Sequence, residues 1–272
     1  MKDSIITFIG GGNMASSLIG GLLDTGFIAE KLRVADPSSE PLTSQFSVQH
    51  YTDNSEALNG ADIVVLAVKP QILPEIAKAI NVPSTAPLFI SIAAGIMIED
   101  IARWLGLDHP VPIVRVMPNT PALVRSGASA LFAGKHVDNE QKELAESILR
   151  AVGLTLWLED EAQMDIVTAL SGSGPAYTFL MMEVLEKAAI SLGLPQESAR
   201  LLTLQTAFGS AKMALESNED AATLRERVTS KGGTTEQAIN ALQDGGLQNL
   251  FDQALQAAKQ RSTELAKLFG EK

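Results

Sequence analysis

The stretch Ile5-Ile6-Thr7-Phe8-Ile9-Gly10-Gly11-Gly12-Asn13-Met14-Ala15 decides the fold. Its first five residues form an apolar, β-branched run that predicts a strand, and a helical pattern follows the glycines to about Asp24. The glycines read G-x-G-x-x-A: the first permits a tight turn, the second lets backbone approach a pyrophosphate, and the small last residue allows close packing. The N-terminus of the helix adds free N–H groups. We interpret the stretch as a dinucleotide-binding βα unit rather than an ordinary glycine-rich turn.

The rest of the first 160 residues continues to alternate between strand and helix patterns. Further candidate strands are Leu32–Ala35, Ile63–Val68, Leu88–Ile92, Ile113–Met117, Ala128–Ala133 and Leu154–Leu158. Helical patterns fall between them, and the unbroken apolar run at Ile63–Val68 is typical of a parallel strand covered on both faces. This alternation predicts an α/β chain that begins with a Rossmann-type, doubly wound parallel sheet.

The composition and the predicted secondary structure of the chain change after Glu161. Ala, Leu, Gln and Glu dominate there, no strand is evident, and the breaks predict about five helices. Several of these helices have apolar faces, and about 110 helical residues make only a small core by themselves, so pairing with a second copy is expected. We predict a dinucleotide-binding domain over residues 1–160 and an all-helical dimerisation and substrate domain over residues 161–272.

Composition excludes several classes of protein. The 272 residues include 32 acidic and 21 basic side chains, a net charge of −11, which argues against binding to nucleic acid or to an anionic membrane. There is no cysteine, and the three histidines have no ligand spacing, so no metal site is expected. The start resembles no signal peptide, and the longest apolar stretch, Leu88–Ile98, is too short to span a bilayer. We therefore expect a cytoplasmic protein.

Two charged residues stand at the ends of predicted strands, where ligands bind in such sheets. Asp36 ends the second strand, and its carboxylate could accept hydrogen bonds from the adenosine ribose, which favours NAD and repels a 2′-phosphate. The alternative is that Asp36 is a turn residue before Pro37. Lys69 follows the Ile63–Val68 run and could reach a phosphate or ribose, or could be a solvated surface lysine.

Two further strand ends carry small residues or prolines. Ser91-Ile92-Ala93-Ala94-Gly95 could let a nicotinamide ring or its ribose lie close to the backbone, or could serve tight packing of helix on strand. Met117-Pro118-Asn119-Thr120-Pro121 is a stiff loop that offers an amide and a hydroxyl at the same rim, or is an ordinary rigid turn.

Two segments of the helical half are unusual. Ser171-Gly172-Ser173-Gly174-Pro175 interrupts a helical pattern, so its hydroxyls and freed N–H groups could face a ligand, or it could be a simple kink. Ser230-Lys231-Gly232-Gly233-Thr234-Thr235-Glu236 is a glycine turn that enters a helix, and its N–H groups could hold a carboxylate or phosphate. Thr followed by Glu is also an ordinary helix-start signature.

Taken together, these motifs resemble the pyrroline-5-carboxylate reductases, and the resemblance covers essentially the whole chain. The stretches that carry it are Phe8–Ala15, Ala67–Pro70, Met117–Pro121, Leu170–Tyr177, Val228–Ser230 and Gly232–Thr235. The resemblance implies an N-terminal dinucleotide domain, a C-terminal helical dimerisation domain, and interlocked dimers that are often built into larger rings. It also implies reduction of a cyclic imine carboxylate to L-proline, with NADPH as the usual cofactor and NADH also usable.

The resemblance implies roles for individual residues as well. The candidate cofactor-binding residues are Ile9, Gly10, Gly11, Gly12, Asn13, Met14, Ala15, Asn54, Ala67, Val68, Lys69, Pro70, Ala93 and Ala94, to which we add Asp36 from its place at the end of the second strand. The candidate substrate-binding residues are Ser230, Gly232, Gly233, Thr234 and Thr235, and the candidate catalytic residues are Thr235, Ser173 and Thr168. This chain departs from many relatives in having Asp36 at the second strand end and Lys231 in place of a proline.

Two other functions fit parts of the pattern. A β-hydroxyacid-type Rossmann dehydrogenase would need a lysine as proton shuttle on the long helix after the sheet, where Lys187 is the only lysine between Glu161 and Leu192. A non-catalytic dinucleotide sensor would use the helical half for oligomerisation alone. Activity on the cyclic imine separates these hypotheses.

Overall fold

The structure is a computed structural model that describes residues 4–38, 42, 45–83 and 86–271. The chain divides into two compact units, Met1–Ser173 with Ala257–Lys272, and Gly174–Gln256. Residues 161–173 therefore pack with the first unit, although the predicted boundary grouped them with the helical domain. Among the described residues, no helix is both long and apolar enough to cross a membrane.

In the described part of the chain, the first unit contains one eight-stranded sheet. The strands are β1 (Ile6–Ile9), β2 (Leu32–Ala35), β3 (Gln49–Tyr51), β4 (Ile63–Leu66), β5 (Leu88–Ser91), β6 (Ile113–Met117), β7 (Gly127–Ala133) and β8 (Gly153–Trp157). Their order is β3-β2-β1-β4-β5-β6-β7-β8, with β7 antiparallel to β6 and the other neighbours parallel. The predicted doubly wound parallel sheet is confirmed, and the antiparallel β7 extends it.

The sequence did not predict β3. This strand has three residues, lies at the edge of the sheet, and exposes Gln49 and His50. An edge strand that short and polar has no apolar run, and pairing with β2 through Val34 and His50 is what makes it a strand.

Helices cover both faces of the sheet. They are α1 (Asn13–Asp24), α2 (Asn54–Ala57), α3 (Leu73–Ala79), α4 (Ile98–Leu105) and α5 (Asn139–Arg150), with short 3-10 helices at Ala29–Lys31 and Thr120–Val124. One buried cluster joins Phe8 of β1 to Leu18 of α1 and Ile148 of α5. The opposite cluster joins Ile9 to Leu73 of α3 and Ile101 of α4. Alternate side chains of β1 thus pack into two separate cores on opposite faces of the sheet, which explains its unbroken apolar run.

The remaining helices follow the sheet. They are α6 (Gln163–Val167), a π-helical turn (Thr168–Gly172), α7 (Gly174–Ser191), α8 (Gln196–Glu216), α9 (Ala221–Arg227), α10 (Thr234–Asp244) and α11 (Leu247–Gly270). The described chain thus has six α-helices here rather than about five, because the π turn divides the pattern that runs from Glu161 to Leu192. The late part of α11 packs within the first unit, where Ser262 and Thr263 each donate a hydrogen bond to Asp165 at 2.7 Å.

Glu146 on α5 ties that helix to the edge strand β8. Its carboxylate accepts hydrogen bonds from Arg150 at 2.8 Å, Thr155 at 3.0 Å and Trp157 at 3.2 Å. Burial raises the pKa of Glu146, but the hydrogen bonds from Trp157, Thr155 and Arg150 and the Arg150 charge outweigh burial, so the pKa lies below its ordinary value of 4.5.

Replacing Glu146 with glutamine is expected to cost about 1–2 kcal/mol of unfolding free energy at neutral pH, the scale of hydrogen bonds to a charged group. Because the folded pKa is lowered, this stabilisation is present above pH 4.5 and is lost as the pH falls through the folded pKa. Urea unfolding at pH 7 and pH 3 measures it, with Glu143→Gln on the exposed face of α5 as control. Equal midpoints for wild type and Glu146→Gln at pH 7 would contradict the assignment.

Candidate active site

The predicted cofactor residues follow strands that end at one edge of the sheet. Gly10 follows β1, Asp36 follows β2, Ala67 follows β4 and Ala93 lies just beyond β5. The strand order reverses at β1 and β4, since β2 and β3 lie to one side and β5 and β6 to the other. A crevice opens at such a switch point, and it is where ligands bind in open parallel sheets.

Gly10 has a backbone that only glycine adopts easily. Its φ is +99°, and a Cβ there would lie 2.8 Å from both the Ala67 carbonyl oxygen and Val68 Cγ1. The Gly10 N–H also donates to the Ala35 carbonyl at 2.8 Å. The first glycine of the motif therefore lets the chain turn closely past the end of β4.

Gly12 has a different role. It precedes α1 with a φ of −73°, which any residue adopts, and beyond its two chain neighbours a Cβ there would meet no protein atom within 4 Å. The first turn of α1 has no acidic residue and no side-chain cap, so its N–H groups are not neutralised by the protein. Open space beside free N–H groups at a helix N-terminus fits a pyrophosphate, so the residues present suit a dinucleotide.

Asp36 contacts the glycine turn directly. One carboxylate oxygen accepts from the Gly11 N–H at 2.8 Å, and the other accepts from the N–H of Ser38 at 2.8 Å and its hydroxyl at 3.1 Å. Partial burial raises the pKa of Asp36, but the hydrogen bonds from Gly11 and Ser38 and the nearby His50 outweigh it and lower the pKa below its ordinary value. A charged carboxylate is thus held beside the turn.

The other predicted cofactor residues lie along the same edge. Asn54 is the first residue of α2, and Lys69 is exposed, with no ion pair recorded in the described part of the chain. Ala93 is buried and Ala94 is partly buried after β5. The remaining members of the set are Ile9, Asn13, Met14, Ala15, Val68 and Pro70, and they belong to the same strand ends and to the start of α1.

The π turn contains one predicted catalytic residue and adjoins another, and both lie in the first unit. The Ser173 N–H donates to the Thr168 carbonyl at 2.9 Å, and the Thr168 hydroxyl donates to the Met164 carbonyl at 2.8 Å. With its proton engaged in its own helix, the Thr168 hydroxyl has only acceptor capacity left for a ligand. π turns of this kind are frequent at functional sites.

The structure packs two separate sequence motifs against each other. The Asn119 amide donates to the Ser171 carbonyl at 3.2 Å and to its hydroxyl at 3.3 Å, and the Asn119 carbonyl accepts from the Ala128 N–H at 2.9 Å. A Cβ on Gly172 would lie 2.3 Å from Met117 Cε. The loop after β6 therefore holds the π turn in place, a role for Asn119 that no local signal indicated.

The predicted substrate segment lies in the second unit, before and at the start of α10. Gly232 has a φ of +74°; its N–H donates to Glu236 Oε2 at 2.7 Å, and the Gly233 N–H donates to the Ser230 carbonyl at 3.0 Å. Both glycine N–H groups are thus used within the segment. For Thr234 and Thr235, no acceptor of the N–H and no hydroxyl partner is recorded among the described residues, so these groups are free to meet an anion.

Lys187, the lysine that the dehydrogenase alternative would use, is exposed on α7 and forms an ion pair with Glu183 one turn earlier. A proton shuttle needs a lysine directed into a site, and this one is paired on a helix surface. Over residues 4–38, 42, 45–83 and 86–271, no group of three His, Asp or Glu side chains could hold a metal ion.

Comparison with known proteins gives consistent matches over the whole chain. A family model described as pyrroline-5-carboxylate reductase dimerisation matches residues 161–265, and one described as NADP oxidoreductase, coenzyme F420-dependent, matches residues 5–95. A pyrroline-5-carboxylate reductase of Pseudomonas aeruginosa is 51% identical over 276 residues, covering 100% of both chains.

Two solved structures are also similar. A pyrroline-5-carboxylate reductase from Coxiella burnetii has a TM-score of 0.91 and 47% identity, covering 97% of this chain and 98% of that chain. A pyrroline carboxylate reductase from Plasmodium falciparum, solved with NADP bound, has a TM-score of 0.87 and 31% identity, covering 98% and 99%.

Proposed function

The chain belongs to the pyrroline-5-carboxylate reductase family and is an oxidoreductase, and we propose that it reduces 1-pyrroline-5-carboxylate to L-proline, the last step of proline biosynthesis. The observation that carries this proposal is the turn at the sheet's switch point, where Gly10 passes close to Ala67 and Gly12 leaves open space before α1. That turn suits a dinucleotide, and we infer the imine substrate from membership of the family. We propose that residues 1–160 serve dinucleotide binding and that residues 161–272 serve dimerisation and substrate binding, a division by function that differs from the two packing units.

The residues divide the work of the reaction between them. When bound, a reduced nicotinamide would supply the hydride to the imine carbon, which becomes Cδ of proline. Gly12 and the N–H groups of α1 hold the dinucleotide phosphates, and Ala93 and Ala94 leave room beside the backbone for a flat ring. Substrate and cofactor held in the right geometry provide most of the rate enhancement, so the site needs no paired acid and base.

The substrate carboxylate binds at the start of α10. The N–H groups of Thr234 and Thr235 and the Thr235 hydroxyl receive it, with Ser230, Gly232 and Gly233 shaping the turn. The imine nitrogen arrives protonated from water or takes a proton through the Thr235 hydroxyl. Ser173 and Thr168 are the further catalytic candidates, with Thr168 acting as an acceptor because its hydroxyl proton is engaged.

The cofactor is NADPH, with NADH also usable, and Asp36 tunes the choice. Its carboxylate is charged and held beside the glycine turn, where it would accept from ribose hydroxyls and repel a 2′-phosphate. Repulsion near a surface, at an effective dielectric of about 20, is a few kcal/mol at most and is screened by salt. A free-energy difference of this size changes the ratio of the two cofactors' efficiencies but excludes neither, so both support turnover.

Replacing Asp36 with serine is expected to shift the ratio of kcat/KM values toward NADPH by roughly tenfold, or ~1.4 kcal/mol. Asp36→Asn is the matched control for charge, because its amide oxygen still accepts from the Gly11 N–H. Steady-state kinetics with each cofactor measures the ratio. If both variants keep the wild-type ratio, Asp36 is only a turn residue.

The chain forms a homodimer or a larger ring of dimers. Large apolar side chains of the second unit are 48–63% exposed in the single chain, among them Phe179, Leu180, Met181, Val184, Leu185, Leu201, Leu202 and Phe208. Monomers rarely expose so many large apolar side chains in one unit, and a second copy would bury them. Native mass spectrometry is expected to show a dimer or a multiple of it, and a stable monomer at micromolar concentration would contradict this.

The experiment that tests the proposed function is oxidation of NADPH, followed at 340 nm, with 1-pyrroline-5-carboxylate as substrate and L-proline identified as product. A panel of β-hydroxyacids with oxidised cofactor tests the dehydrogenase alternative, and dinucleotide binding without turnover would favour a sensor. The enzyme acts in the cytoplasm on a small molecule, without nucleic acid or membrane as partner, in keeping with its acidic charge of −11.

A further inference from the structure

We propose that Glu236 is a positioning residue for substrate binding: its carboxylate holds the Gly232 N–H and thereby keeps the turn before α10 in the shape that presents the Thr234 and Thr235 N–H groups to the substrate carboxylate. The inference rests on the proposed function, because it concerns the same substrate segment. Glu236 does not itself contact the substrate.

The turn has little else to hold it. Its residues 231–233 contain two adjacent glycines, which have the widest backbone freedom of any residue, and Gly232 sits at a φ of +74°. Lys231 is exposed and has no recorded hydrogen bond or ion pair in the described chain. The bond to Glu236 and the bond from the Gly233 N–H to the Ser230 carbonyl, at 3.0 Å, are the contacts that fix the turn.

The bond also decides which donors face a ligand. Glu236 is the third residue of α10 and reaches back past the cap residue Gly233 to the Gly232 N–H, at 2.7 Å. A capping-box glutamate would bond the cap residue itself. Because Glu236 takes the Gly232 donor, the anion site is confined to the first helical residues. Without this bond, two glycines and their N–H groups would sample many arrangements, and the substrate would have to order them on binding.

The test compares Glu236→Ala with Glu236→Gln in the full-length enzyme. Glu236→Ala is expected to raise the KM for 1-pyrroline-5-carboxylate about tenfold, the scale of one hydrogen bond to a charged group, with kcat and the KM for NADPH unchanged. Glu236→Gln keeps an acceptor oxygen and is expected to restore most of the loss. Glu197→Ala, an exposed acid in the first turn of α8, controls for loss of charge at a helix start.

A second variant tests the role of rigidity. Adding Lys231→Pro to Glu236→Ala is expected to lower the substrate KM again, since proline restricts the turn and the Lys231 N–H has no recorded acceptor to lose. Hydrogen exchange supplies a readout independent of turnover. The Gly232 N–H is expected to be protected in wild type and in Glu236→Gln, and to exchange faster in Glu236→Ala.

The outcomes separate the two proposals. A wild-type enzyme without imine reduction overturns the proposed function, and the role of Glu236 falls with it. An active wild type whose Glu236→Ala variant keeps the substrate KM overturns the positioning role alone. If Glu236→Ala lowers kcat and raises both KM values to a similar extent, and neither Glu236→Gln nor Lys231→Pro rescues it, Glu236 is merely structural. That result also overturns the positioning role.

Discussion

Replacing Gly12 with alanine is expected to lower kcat/KM for NADPH on the order of a hundredfold, or ~2.7 kcal/mol, while the melting temperature stays close to that of wild type. The φ of −73° suits alanine, and beyond the two chain neighbours its Cβ would meet no protein atom within 4 Å. The added methyl group would instead occupy the space in which the backbone approaches a pyrophosphate. The substitution is therefore expected to weaken cofactor binding without destabilising the fold.

Gly10→Ala is the matched contrast for this prediction. Its φ of +99° and the 2.8 Å approach of a Cβ to the Ala67 carbonyl oxygen place the strain in the protein itself. This variant is expected to lose about 1–3 kcal/mol of stability as well as cofactor affinity. Thermal unfolding and fluorescence titration with NADPH measure the two effects separately. A Gly12→Ala enzyme with wild-type NADPH affinity would remove the dinucleotide assignment of this turn.

Replacing Thr235 with alanine is expected to weaken turnover or substrate binding by ~1–3 kcal/mol, the scale of a charge-assisted hydrogen bond. Thr235 is partly buried in the first turn of α10, and no partner of its hydroxyl is recorded in the described residues. A hydroxyl beside free N–H groups at a helix N-terminus is well placed to bind a carboxylate or to pass a proton to the imine.

Thr235→Ser is the control, because it keeps the hydroxyl and removes only a methyl group. Initial rates as a function of imine concentration separate the effects of Thr235→Ala on kcat and on KM. A fall in kcat with a steady KM would point to proton transfer, and a rise in KM alone would point to carboxylate binding. Wild-type values of kcat and KM in a folded Thr235→Ala enzyme would contradict the assignment of Thr235 to the substrate site.

Much of the fold could be predicted because its signals are local. Apolar runs marked β1, β4, β5 and β6 to within two residues at either end. The edge strand β3 was missed because it has no such run. The predicted number of helices after residue 161, about five, was one short of the six α-helices in the described chain, because a π turn and a kink give the same interrupted pattern in a sequence.

The candidate site could be predicted only as separate pieces. The glycine turn, the strand-end residues and the turn before α10 each have a spacing with a physical meaning. Glu236 and Gly232 are only four residues apart, but the helix-start pattern predicts a bond from the cap residue Gly233 and not from Gly232. The role of Asn119 had no such signal, since its partner Ser171 lies 52 residues away.

Periodicity and glycine spacing were enough to establish a Rossmann-type sheet followed by helices, because burial on one or two faces leaves a pattern in consecutive residues. Strand order leaves no such pattern, yet it brings Asp36 to Gly11 and Ala67 to Gly10. Packing of the π turn on the loop after β6 brings Ser171 to Asn119. A sequence pattern reports that a side chain is buried or that a backbone turns, but it carries no information about which distant group lies opposite. The tertiary structure therefore decided that the Asp36 carboxylate is held on the glycine turn and that Gly12 faces open space.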